Sequence, residues 1–176
     1  MRRQLVLGCA GACLLALLPG FGARAEDLPI RKAGLWELKL LRPGTAMPET
    51  TMQHCTDASI DRVMNSPAAV KQTCAKNDIR KTAAGYVTDS VCTFGATTVT
   101  THSETTGDFN SAYTVNATAH SDGGPTGATH DTTTTVEAKW LGACLPNQKA
   151  GDIVMPGGYR MNIKDAEKLR AAMPKK

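Results

Sequence analysis

In "LWELKLL", residues 35–41, Trp36, Leu38 and Leu40 alternate with Glu37 and Lys39. This period-two pattern predicts a strand with one buried and one wet face. Pro43-Gly44 offers a turn, and "TTMQHC" supplies a second run that pairs back on the first. After Cys55 the pattern changes. Thr56-Asp57 can cap a short helix through "ASIDRVMN", and Ser66-Pro67 can start another through "AAVKQTC". From residue 86 to residue 141 alternation returns in four runs, "YVTDSVCTF", "TTVTTHSE", "NSAYTVNATAH" and "TTTTVEAKWL". They are rich in Thr, Val and Tyr and are broken by turn residues at Gly95, Gly107-Asp108 and "SDGGPTG". The expected fold is mainly β: an antiparallel meander forming a barrel or a strongly curved sheet, with a short helical insert. A C-terminal helix is predicted over "NIKDAEKLRAAMPKK", capped by Asn162, with Ile163, Ala166, Leu169 and Met173 at near-helical spacing.

The first residues follow a different logic. Arg2 and Arg3 precede an apolar run, a Pro19-Gly20 break and the small-x-small sequence Ala23-Arg24-Ala25. These are the parts of a secretory signal peptide spanning residues 1–25 and cleaved after Ala25. The expectation is therefore an exported, periplasmic protein with one β-rich domain over residues 26–176 and no transmembrane segment after cleavage. Loss of Arg2, Arg3 and Arg24 brings the 20 basic and 16 acidic residues close to balance. That balance gives no reason to expect nucleic acid as a partner.

Export also changes how the cysteines are read. Cys9 and Cys13 leave with the signal, and Cys55, Cys74, Cys92 and Cys144 remain. An even count in an exported chain points to two disulfides, and no C-x-x-C pair suggests zinc or redox chemistry. Three pairings are open. The preferred one joins Cys55 to Cys74 across the helical insert and Cys92 to Cys144, leaving no thiol as a nucleophile.

Other chemistry is sparse. His102, His120 and His130 lie on successive predicted strands, where cross-strand neighbours can share a divalent ion. Met52 and His54 sit two apart on one strand face, a thioether and an imidazole suited to copper. Against both stands the absence of tight ligand spacing, so no metal or other cofactor is assigned. There is no G-x-S-x-G, H-E-x-x-H or phosphate-loop sequence, and Glu104 and Asp108 flank a turn that they more simply shape. No catalytic residue emerges. The expected protein is a non-enzymatic binding module for a small apolar ligand or a protein partner, with Trp36, Tyr113 and Trp140 facing the ligand or filling the core. Metal handling is the alternative.

The segments "RKAGLWELKL", "TMQHCTD", "CAKNDIRK", "DSVCTFGATTVTTHSE", "GDFNSAYTV" and "EAKWLGACLPNQKAGDIVMPGGYRMNI" together resemble an exported proteobacterial family, domain of unknown function 3617. The likeness covers nearly all of the chain after the leader and is most specific around Trp140-Leu141-Gly142-x-Cys144. It implies a small periplasmic single-domain protein and brings no catalytic residues to carry over. The "MPGGYRMNI" tail reads as a contact loop or a crossing at a barrel end.

Overall fold

The computed structural model describes residues 27–65, 73–124 and 127–165. Within them nine antiparallel strands form one sheet: β1 (Gly34–Leu41), β2 (Thr50–Thr56), β3 (Thr73–Lys81), β4 (Gly85–Phe94), β5 (Thr97–Asp108), β6 (Ala112–Gly123), β7 (His130–Gly142), β8 (Asp152–Val154) and β9 (Arg160–Asn162). The order across the sheet is β3-β4-β5-β6-β7-β1-β2-β8-β9, so β3 and β9 are edges and the sheet is not closed.

The four alternating runs become β4 to β7 in the expected meander, and β2 pairs back on β1 with Trp36 opposite His54. Long-range pairing then places β7 on the other side of β1, with Trp36 opposite Trp140 and Leu38 opposite Ala138. Flanked on both sides, β1 buries its first three residues, Gly34, Leu35 and Trp36, and Trp36 has no exposed surface. The buried apolar core among the described residues is small: Leu35, Trp36, Cys55, Ile60, Cys92 and Ala138.

Helix α1 (Ala58–Met64) follows β2. Asp57 is its N-cap, and its carboxylate accepts the Ser59 and Ile60 backbone N–H groups at 2.9 Å each. The helix reveals the sheet's shape. β2 and β3 stand six positions apart, about 29 Å in a flat sheet at the usual strand spacing. Yet Arg62 and Asn65 at the end of α1 line the same hollow as Asn77 and Ile79 of β3. The sheet must curl so that α1 lies across its open side.

The disulfides correct the preferred pairing. They join Cys55 to Cys144 and Cys74 to Cys92. Cys74 does not end a helical insert. It is the second residue of β3, and the β3–β4 register sets it opposite Cys92. The chain after β7 instead returns to β2, where the Gly151 N–H donates to the Cys55 carbonyl, and this brings Cys144 within bonding range. On the loop-entropy relation the short bridge contributes about 3 kcal/mol and the long one about 4 to 5 kcal/mol.

Strand β3 was not expected from "CAKNDIRK", which lacks the alternation of the others. The "MPGGYRMNI" tail forms a 3₁₀ turn at Pro156–Gly158 and the edge strand β9. Asp108 does shape its turn, accepting from the Asn110 backbone and side chain and from Ser111. The Asn162 side chain accepts the Lys164 N–H, and residues 163–165 begin a helical turn. The rest of the predicted C-terminal helix, the second piece of the insert over 66–72 and the signal peptide lie outside the described residues. Among those described, no helix is long and apolar enough to cross a membrane.

At Gly34, beside the register shift between Leu35 and Trp36, the paired strands β1 and β7 come close. Gly34 has φ +135°, and a Cβ there would stand 2.3 Å from the Gly142 oxygen and 2.6 Å from Trp140 Nε1. Gly34→Ala should therefore lower stability by more than about 2 kcal/mol. Gly44→Ala, in open space at φ +78°, should cost only about 1 kcal/mol. Paired urea melts check the difference, and equal losses would contradict the close approach.

Candidate functional site

Residues two apart on a strand share a face, so the register carries one apolar face across four strands. Leu38 aligns with Ala138 and Tyr113, and Leu40 with Val136, Val115 and Thr105. The segment before β1 and helix α1 cross over this inner face. Between cover and sheet lies a cavity of about 230 Å³. Its apolar lining includes Leu28, Leu38, Met64, Phe109, Val115 and Val136, and its polar lining Arg31, Asp61, Asn65, Thr105 and Tyr113. Leu28 and Asn65 also line a neighbouring hollow of about 530 Å³, with Asp27, Ile30, Arg62, Asn77 and Ile79.

A run of aromatic rings stiffens one wall. Phe109, in the β5–β6 turn, stacks on Tyr113 at 4.8 Å and meets Tyr86 edge-on at 6.0 Å. Tyr113 in turn packs against Trp36 at 5.5 Å. The Phe109 carbonyl accepts the Lys32 N–H, and Trp36 Nε1 donates to the Lys32 carbonyl at 2.8 Å. These two bonds fix the covering segment to the sheet.

Two residues of the cavity lining, Arg31 and Asp61, meet Thr56 and His54 in a buried polar cluster. The Asp61 carboxylate accepts from the Arg31 backbone N–H and Nε at 2.7 Å each, from Arg31 Nη2, and from Thr56 Oγ1 at 3.4 Å. Arg31 and Asp61 are 8% and 1% exposed, so the pair sits in a medium where each charge needs the other. Arg31 Nη2 also lies 3.4 Å from His54 Nδ1, and its guanidinium lies over the Trp36 ring at 5.9 Å. His54 is fully buried and its Nε2 has no partner among the described atoms. Burial, reinforced by the Arg31 cation and opposed by Asp61, holds the imidazole down at about 4, well below its ordinary 6.5. It is neutral at physiological pH. Burial likewise raises the Tyr113 phenol, against the nearby Arg31 charge.

The residues singled out from sequence fall in three places. Tyr113 lines the cavity, while Trp36 is sealed behind it. Trp140 is absent from that lining and instead shares with Tyr113, Glu37, Lys39 and Lys139 the lining of a groove of about 620 Å³; its Nε1 donates to the Ala33 carbonyl at 3.2 Å, and Lys32 Nζ lies 3.5 Å from its ring centroid. Met52 and His54 do share the inner face, but the guanidinium beside His54 Nδ1 disfavours a second cation at that nitrogen. On the outer face His102 Nδ1 meets Asp89 at 2.7 Å and His120 Nδ1 meets Asp131 at 2.6 Å. Asp89, then Glu104, raises the His102 imidazole. The two histidines are diagonal neighbours lining a groove of about 330 Å³, each leaning toward a carboxylate on the strand away from the other. His130 is opposite Ser121 and so belongs to the other face. Among the described residues no group of three or more His, Cys, Asp or Glu could hold a metal ion.

Arg31, Asp61 and Thr56 were not singled out from sequence. An arginine before a strand and an aspartate within a capped helix are ordinary surface residues until the fold buries them together. Only His54 carried a signal, its period-two position on β2.

The buried imidazole sets a pH dependence. His54 stays neutral in the folded state down to about 4, whereas the unfolded chain takes up its proton near 6.5. Stability from this residue is thus complete above about pH 6.5 and is lost as pH falls to about 4, by about 3 kcal/mol in total. Urea titrations across that range should show the decline, and His54→Gln should flatten it. An unchanged slope in the variant would assign the dependence to other groups.

A family model described as protein of unknown function (DUF3617) matches residues 31–144. No curated protein and no solved structure matches the chain. The matched segment opens on Arg31, includes His54, Thr56 and Asp61, and closes on the Cys144 that bridges to Cys55, so the whole buried cluster lies inside it and the chain belongs to the DUF3617 family.

Proposed function

We propose that the protein is an exported, periplasmic binding module without enzymatic activity, and that its ligand is a small apolar molecule seated between the sheet and its helical cover. The observation that carries this reading is the cavity over the inner face, lined mainly by apolar residues with Arg31, Asp61, Asn65, Thr105 and Tyr113 among them. Small-molecule sites have that form: a hydrophobic lining with a few placed hydrogen-bonding groups. The commitment of Asp61 to four donors supports a structural rather than a catalytic carboxylate, since a general base needs a free lone pair toward its substrate. Two disulfides fit an oxidising compartment, as does the leader-like start of the sequence.

Native mass spectrometry of the protein purified from its own host, beside a denatured sample, tests the reading. The expected result is a small non-covalent mass that disappears on denaturation. Val136→Trp, which fills the cavity with an indole, should lose that mass while keeping the fold by circular dichroism. A bare chain in both spectra would count against the proposal.

A second reading, metal handling, has one observation in its favour. A carboxylate on Nδ1 of His102 and of His120 is the outer partner that metal-binding histidines commonly have, orienting Nε2 toward an ion. On this reading, dialysed protein titrated with Zn²⁺ or Cu²⁺ binds one ion, and His102→Ala with His120→Ala abolishes it. Binding that survives the double variant would place any metal elsewhere.

A further inference from the structure

Taking the cavity as a ligand site, as proposed above, we infer that its ligand is electrically neutral: an apolar chain or ring system ending in a hydroxyl, carbonyl or ester rather than in a carboxylate, phosphate or ammonium. The argument is charge balance around a buried ion pair. Arg31 and Asp61 are the cavity's two charged residues, of opposite sign and bonded to each other through Nε, Nη2 and the Arg31 backbone N–H. His54, the titratable side chain facing Arg31 from β2, is buried and neutral at physiological pH. The neighbouring hollow repeats the balance with Asp27 and Arg62. A carboxylate entering this site finds no uncompensated cation; it must compete with Asp61 for Arg31 and leave one buried anion short of a partner. An ammonium meets the mirror-image problem at Asp61. A hydroxyl or carbonyl loses little on leaving water, and the cavity offers it hydrogen-bonding side chains in Tyr113, Thr105 and Asn65.

Octanol and octanoate share an alkyl chain and differ in the charge of the head group, so they separate this inference from the site itself. Binding to the full chain at about pH 7, where the carboxyl is ionised, can be followed by tryptophan fluorescence, because Trp36 packs on the Tyr113 that lines the cavity. Octanol should bind at least tenfold more tightly than octanoate. Asp61→Asn, which leaves the Arg31 charge uncompensated, should reverse the preference. The double variant Arg31→Gln with Asp61→Asn should restore the preference for octanol. Equal or tighter binding of octanoate to the unaltered protein would overturn the inference while leaving the cavity as a binding site. A folded Asp61→Asn protein that still rejects octanoate would overturn it as well. Failure of both probes to bind the unaltered protein would overturn the binding reading and this inference together.

Discussion

One carboxylate ties the cover to the sheet. Asp61 projects from α1, which follows β2, and takes hydrogen bonds from the backbone and side chain of Arg31, which precedes β1. Thr56 at the end of β2 adds another. The contact therefore joins the segment before β1, the helix and the end of β2 at one point. A buried pair of this kind contributes little net stability relative to an apolar substitute, but losing one partner strands the other and costs roughly 3 to 5 kcal/mol. Its consequence is geometric: with Asp61 in place the segment and the helix lie across the open sheet and form one wall of the cavity beneath them.

Such fixing matters because the apolar core is slight. Among the described residues Trp36 and Ile60 are its only large side chains with no exposed surface, and two of its six members are half-cystines. The disulfides reinforce opposite sides of the curl. Cys74–Cys92 ties the edge strand β3 to its neighbour, and Cys55–Cys144 ties β2 to the chain that leaves β7, spanning β1 between them. The open edge at β3 also carries Lys76, Asp78, Arg80 and Lys81, charges that discourage strand addition from another molecule.

The inner and outer faces divide the chemistry. Outside, the sheet is wet, with histidines and carboxylates paired across strands at the surface. Inside, the buried charges of Arg31 and Asp61 are matched to each other, and the aromatic run from Tyr86 to Trp36 presents flat apolar surface beside the polar cluster. A site with balanced charge and an apolar wall selects by shape and hydrogen bonding rather than by long-range attraction. That is the physical basis for the proposal that the cavity of this protein takes a neutral molecule.

What the sequence determined by itself is local. Alternation of apolar and polar residues reports which side of a strand is wet, so the meander, the β1–β2 hairpin and the shared face of Met52 and His54 were legible. The Asp57 cap and the Asp108 turn were legible because each is made by a side chain bonding to residues within three positions. Strand β3 escaped because an edge strand with both faces largely exposed has no alternation to display. The disulfide pairing escaped because partners are chosen by strand register and by where the chain returns, and neither is encoded near the cysteines. Arg31, His54 and Asp61 meet across 23 and 30 residues of chain, and apart from the period-two position of His54 nothing in their neighbours marks them as buried. Only the curl of the whole sheet brings the helix over its open side, and that closure turns three ordinary polar residues into one buried cluster.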